Sequence, residues 1–299
     1  MAEFSINNGK ILIKKRHKPV RPYIIGLFVI ALGLAIFFAL PFVLLLMMSL
    51  VKDQNEILSY PPIFISDQAY FVNYATAFVK MDFMKKLGNT LLIMVSSTAL
   101  SLFSSILVAY GFARFQNKVS NIFFMILLST MMLPWVVTMI PAFAEFQFLQ
   151  DLTGINWTRS PLPLIVPAIG GSAFNVFMIR QFMVGIPKDL DEAAKMDGCS
   201  TFGVLWRIIV PQLKPVIATL LVYSFMSGWS DYIGPSIYLQ GAKNWQTLAL
   251  GIQGLITGNG EPQWHIVFAA SVMYSIPLIL VISVCQKAFV RGQVGSAIK

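Results

Sequence analysis

The sequence predicts an all-α, polytopic membrane protein with six transmembrane helices, and three observations carry that reading. Hydrophobic residues make up 57% of the 299 and charged residues only 12%, against about 45–50% and about 25% in soluble domains. Six apolar stretches approach the roughly 20 residues needed to cross about 30 Å of hydrocarbon. The 22 Lys and Arg fall unevenly between the loops of the two sides. Half the usual charge cannot cover a soluble surface, so a plain soluble enzyme is excluded. Two cysteines, Cys199 and Cys285, make neither a disulfide scaffold nor a metal cluster.

Residues 1–22 form a basic tail with Lys10, Lys14, Lys15, Arg16, Lys18 and Arg21. The first span, 23–51, carries no charge. It is far longer than a signal-peptide h-region and no A-x-A site follows, which indicates an uncleaved anchor. Residues 52–86 make an outer connection with a turn at Pro61-Pro62. The further spans are 87–110, 121–143, 161–183 (bent by Pro161, Pro163 and Pro167), 214–235 and 264–286. Between the last two, TLALGIQGLI at 247–256 is too short to span and reads as interfacial or re-entrant. Residues 287–299 form a C-terminal tail. Six spans put both termini on one side. Of the Lys and Arg, 16 then lie on the side of the termini and 6 on the other, which makes the terminal side cytoplasmic. The net charge of +9 is spent on orientation, and no nucleic-acid partner is expected.

The spans contain no Asp–Lys or Glu–His chain of the kind that marks a proton path. The nearest case is Asp231, in SGWSDYIGP at the outer end of the fifth span. No P-loop is present, since Gly9-Lys10 is followed by Ile11. No catalytic pair and no metal motif is visible, so the chain is expected to be neither an enzyme nor a cofactor binder. Ser97, Ser101 and Ser105 share one face of the second span, either as a polar lining or as a small-residue packing seam. Trp229, Asp231, Tyr232 and Tyr238, with Asn175 in the fourth span, are candidates for a substrate path. The alternative for Trp and Tyr is an interfacial belt.

The most informative segment is the inner loop 186–213, which reads as two short helices around a glycine turn. Pro187 suits a first turn. Asp189, Asp191 and Glu192 lie near the positive end of the first helix dipole. Leu190, Ala193, Ala194 and Asp197 follow i, i+3, i+4, i+7 and give one narrow face. Gly198 suits a left-handed cap, Ser200 an N-cap, and Pro211 is expected to end the second helix. Helices this short need a partner surface: either the protein's own span ends or another protein.

The stretch DEAAKMDGCSTFGVLWRIIVP, 191–211, resembles the EAA motif of binding-protein-dependent ABC importer permeases. Glu192, Ala193, Ala194, Gly198, Ile208 and Pro211 match it, although Val210 stands where Leu is common. AYGFARF at 109–115, MIPAF at 139–143, NVFMIRQFM at 175–183, WSDYIGPSIYL at 229–239 and FVRGQVGSAIK at 289–299 are similar to the MalG-like carbohydrate branch. The resemblance implies a type I importer transmembrane domain, with residues 87–286 as the core permease. It implies a related second permease subunit, two ATPase subunits and an extracytoplasmic solute-binding protein, in a prokaryotic inner membrane. ATP and Mg would be used by the ATPase and none bound by this chain. By the same resemblance, Leu190, Glu192, Ala193, Ala194, Asp197, Gly198 and Pro211 belong to the coupling loop. Gly292, Gln293, Gly295 and Ser296 belong to a tail contact with the ATPase. The expected cargo is a sugar or oligosaccharide; glycerol phosphate, or transport as a stand-alone carrier, are the alternatives.

Overall fold

The computed structural model describes residues 3–7, 10–14, 22–61, 64, 66–258 and 260–297. The chain is helical beyond a short N-terminal hairpin. Strands β1 (Glu3–Asn7) and β2 (Lys10–Lys14) pair antiparallel, with Glu3 opposite Lys14 and Asn7 opposite Lys10. The alternation of KILIK, with its β-branched isoleucines, suits a strand. The hairpin lies within the basic tail.

Helix α1 (Pro22–Ser49) starts on a proline whose missing N–H costs nothing in a first turn. Asn73 closes its far end. The buried Asn73 amide donates to the Ser49 and Val51 carbonyls (2.9 and 2.8 Å), which a helix end leaves without partners. Asn73 belongs to α3 (Val72–Lys80), reached through α2 (Gln54–Leu58). The connection therefore contains two short helices.

Helix α4 (Phe83–Arg114) is the axis of the molecule. At 1.5 Å per residue its 32 residues run about 48 Å. The expected third span, 121–143, is not one straight helix. It is α5 (Lys118–Thr130) and α6 (Trp135–Thr153), bent by 98°. Pro134 is the cause. It cannot continue the ladder of α5 and takes an extended conformation (ψ 130°) from which α6 starts. The fourth span is α7 (Leu162–Ile165), a 3₁₀ turn over Val166–Gly170, and α8 (Ala173–Val184).

The inner loop holds α9 (Asp189–Met196) and α10 (Thr201–Val204). From α10 the chain passes through a π turn at Leu205–Ile209 into α11 (Val210–Gln212). Pro211 does not end this helix directly. It lies just past the widened turn, within α11, and the helix ends one residue later at Gln212. A 76° bend at the buried Leu213 leads into α12 (Lys214–Ser230). This helix stops at Ser230, short of the expected 235, and α13 (Ile233–Tyr238) resumes beyond Asp231. Helix α14 (Leu248–Thr257) is too short to span, as its sequence predicts, and packs on α4 and on α15 (Trp264–Ala297). Among the described residues, four helical stretches meet the length and composition of a span, and six do if each bent pair counts as one.

Small residues govern the central contact of α4 with α8. Ser105 is fully buried and its hydroxyl accepts the Ser172 N–H at 3.1 Å. Gly171 sits opposite with φ +76°, and a Cβ there would stand 3.1 Å from the same hydroxyl. The serine face is thus a packing seam at Ser101 and Ser105. Ser97 turns its hydroxyl to its own helix at Met94.

Candidate functional site

The core of the α9 end is continuous with the inner loop. Ile106, Ala109 and Ala113 of α4 and Ile179 and Met183 of α8 share one apolar cluster with Ala194, Leu205 and Leu213. The loop is therefore part of the body of the protein.

The turn after α9 is closed from both sides. The Gly198 N–H donates to the Lys195 carbonyl (3.0 Å) and the Cys199 N–H to the Ala194 carbonyl (2.9 Å). These are the two bonds of a Schellman motif, which requires a left-handed residue at its centre. Gly198 supplies it with φ +82°. Ser200 then accepts the Gly203 N–H at 3.1 Å and caps α10. No heavy atom would meet a Cβ at Gly198, so glycine is needed there for its conformation and not for space.

The narrow face expected on α9 is divided. Leu190, Glu192, Ala193 and Asp197 are exposed, as are Met196 (88%) and Phe202. Ala194 is buried with Asp191, three residues away on the inward side. Pro211 is exposed, one bend away from this group. Gly292, Gln293, Gly295 and Ser296 fall in the last turns of α15, and their side chains lie outside the described residues.

Two arginines that the sequence reading did not single out hold the inner end together. Arg114, the last residue of α4, lies in the motif stretch AYGFARF but was legible there only as a loop charge. Its Nη1 donates to the Met183 and Ile186 carbonyls at the end of α8 (3.2 and 3.1 Å). Its Nη2 donates to Asp191 Oδ1 at 3.1 Å, and Nε stands 2.8 Å from Oδ2. The two side chains are 6% and 9% exposed. Removing one partner of such a buried pair costs about 3–5 kcal/mol. Arg180 of α8 donates to the Phe112 carbonyl (3.2 Å) and lies 4.1 Å over the Phe124 ring, which fixes α5 to the same end.

The five candidate path residues do not form one surface. Trp229 is fully buried: its indole N–H donates to the Tyr274 carbonyl (3.1 Å), and the Tyr274 hydroxyl donates to the Trp229 carbonyl (2.6 Å). Phe225 and Tyr274 stack on it. Tyr238 is buried against Phe143 and Phe146. Asn175 is buried on α8 and donates to the Ser101 hydroxyl (3.2 Å). Asp231 and Tyr232 are exposed at the break between α12 and α13, where Asp231 Oδ1 accepts the Gly234 N–H (3.1 Å).

Residues 101–294 match the family described as binding-protein-dependent transport system inner membrane component. The chain belongs to that family. It is 30% identical, over 95% of its length and 99% of the relative's, to an arabinooligosaccharides transport system permease protein, AraQ, of Bacillus subtilis (strain 168). It is 35% identical, over 64% of its length and 66% of the relative's, to a sn-glycerol-3-phosphate transport system permease protein, UgpE, of Yersinia pestis bv. Antiqua (strain Antiqua). Among solved structures, a bacterial ABC transporter involved in alginate import has a chain of the same fold. That chain matches with a TM-score of 0.75 and 23% identity, covering 90% of this chain and 98% of that one. This permease is a multi-pass inner-membrane transport component with the fold of an ABC importer subunit.

Proposed function

We propose that this permease imports a sugar or oligosaccharide by alternating access, driven by a partner ATPase that docks on the inner loop. The exposed face of α9, held on a turn capped from both sides, carries this reading. A short exposed helix on a rigid elbow gives a partner something to grip and a lever to move. The partner ATPase uses ATP and Mg; this chain binds neither. A second related permease subunit completes the pathway, and a solute-binding protein delivers the cargo to the face opposite α9. That arrangement puts both termini in the cytoplasm, in agreement with the charge bias. A carbohydrate cargo is supported by the relative named for arabinooligosaccharides. The relative named for glycerol 3-phosphate makes that solute the second cargo to test.

Closure of the ATPase dimer would push α9, and a loose loop would absorb the push. Gly198→Val puts a β-branched residue in the left-handed region, at about 1–2 kcal/mol or more. The expected outcome is an inserted protein that co-purifies with less ATPase and takes up less solute. Normal co-purification and uptake would remove the docking assignment. The cargo follows from ATP hydrolysis by the purified complex with a panel of sugars and glycerol 3-phosphate. Solute accumulation by this chain alone in liposomes would overturn the reading entirely.

A further inference from the structure

The eight-residue helix α9 has two buried residues, Ala194 and Asp191. The methyl of Ala194 rests in the apolar cluster, a contact with no directional bond. Asp191 is held directionally: both its carboxylate oxygens face the guanidinium of Arg114 (3.1 and 2.8 Å). The same guanidinium holds the Met183 and Ile186 carbonyls. One planar group thus joins the end of α4, the end of α8 and the first turn of α9. It also places positive charge at the negative ends of the α4 and α8 dipoles. Three directional bonds from this one group, to the Met183 and Ile186 carbonyls and to Asp191 Oδ1, fix orientation as well as distance.

We infer that Arg114 and Asp191 form the latch that passes the displacement of α9 to α4 and α8, and so set how much solute moves for each ATP hydrolysed. Both are positioning residues. Neither faces the exposed side of α9 that meets the partner, and neither lies among the candidate path residues. The inference rests on the proposed ATPase docking and adds the element that carries the motion inward. Lysine would keep the charge of Arg114 and lose its fork, because an ammonium cannot address a carboxylate and two carbonyls in one plane.

The test uses the full complex, with binding protein and solute, in liposomes. Arg114→Lys and Asp191→Asn are compared with the wild type by solute accumulated per ATP hydrolysed. The amount of ATPase recovered with each chain is measured alongside. Both variants are expected to assemble and hydrolyse ATP while solute per ATP falls roughly fivefold or more, the range of an ordinary coupling free energy. A pair that merely supports folding would lower the amount of complex and leave the ratio intact in what assembles. An intact ratio, or loss of all complex in both variants, overturns the inference. If the wild-type chain itself recovers no ATPase, the docking reading has failed instead.

Discussion

Helices α1 and α4 are both apolar enough to span a membrane, and they sit in the molecule in opposite ways. The α1 span has a mean hydropathy of 2.9 and none of its most apolar stretch is buried. The α4 span is less apolar, at 2.1, yet supplies buried residues along its whole length, Thr90, Ser105, Ala109 and Ala113 among them. In water the more apolar helix would be the buried one. In hydrocarbon, lipid is as apolar as leucine, so burial is won by close backbone approach and by internal hydrogen bonds. The buried side of this permease therefore sets Ser105, Asn175 and the Arg114–Asp191 pair among its apolar residues, while the exposed face of α1 is phenylalanine, leucine and isoleucine.

That contrast can be tested in order of effect, by thermal unfolding in mild detergent. Trp229→Ala should cost most, about 3–5 kcal/mol, because it empties a closed site and strips Tyr274 of its partner. A loss under about 1 kcal/mol, as at an ordinary surface position, would show that α12 and α15 are not locked there. Ser105→Leu should cost about 1–3 kcal/mol by overpacking the seam against Gly171 and leaving the Ser172 N–H without its acceptor. A more stable protein would mean that α4 and α8 do not meet through small residues. Phe38→Leu on the exposed face of α1 should change stability by no more than about 0.5 kcal/mol. A large loss there would show that α1 has a protein neighbour in the detergent-purified state.

The sequence makes the spans, the short α14 and the two-helix inner loop legible, since length and apolar runs report them directly. The Gly198 turn and the Ser200 cap are legible too, because each needs a particular side chain at one position. Pro134 was visible, but a window of hydropathy runs through it, so the 98° break was missed. The division of the α9 face was missed for a different reason. Leu190, Ala193, Ala194 and Asp197 satisfy a helical period, yet which edge of that stripe turns inward is decided by Arg114, 77 residues away from Asp191. Trp229 and Tyr238 carry the composition of an interface or a sugar platform, and only packing shows them closed within the core. Arg114 itself was countable as a charge on one side of the membrane. Its work as a three-way tie is a property of the folded chain alone.

The π turn at Leu205–Ile209 has a consequence for engineering. Such a turn houses one residue more than an α turn in nearly the same rise, so everything after it is rotated by about 100° relative to an uninterrupted helix. Grafting an inner loop from a relative onto this scaffold therefore demands the same number of residues between Ser200 and Pro211, whatever their identities. A one-residue deletion there would convert the widened turn to a regular one and turn the foot of α12 to face a different neighbour.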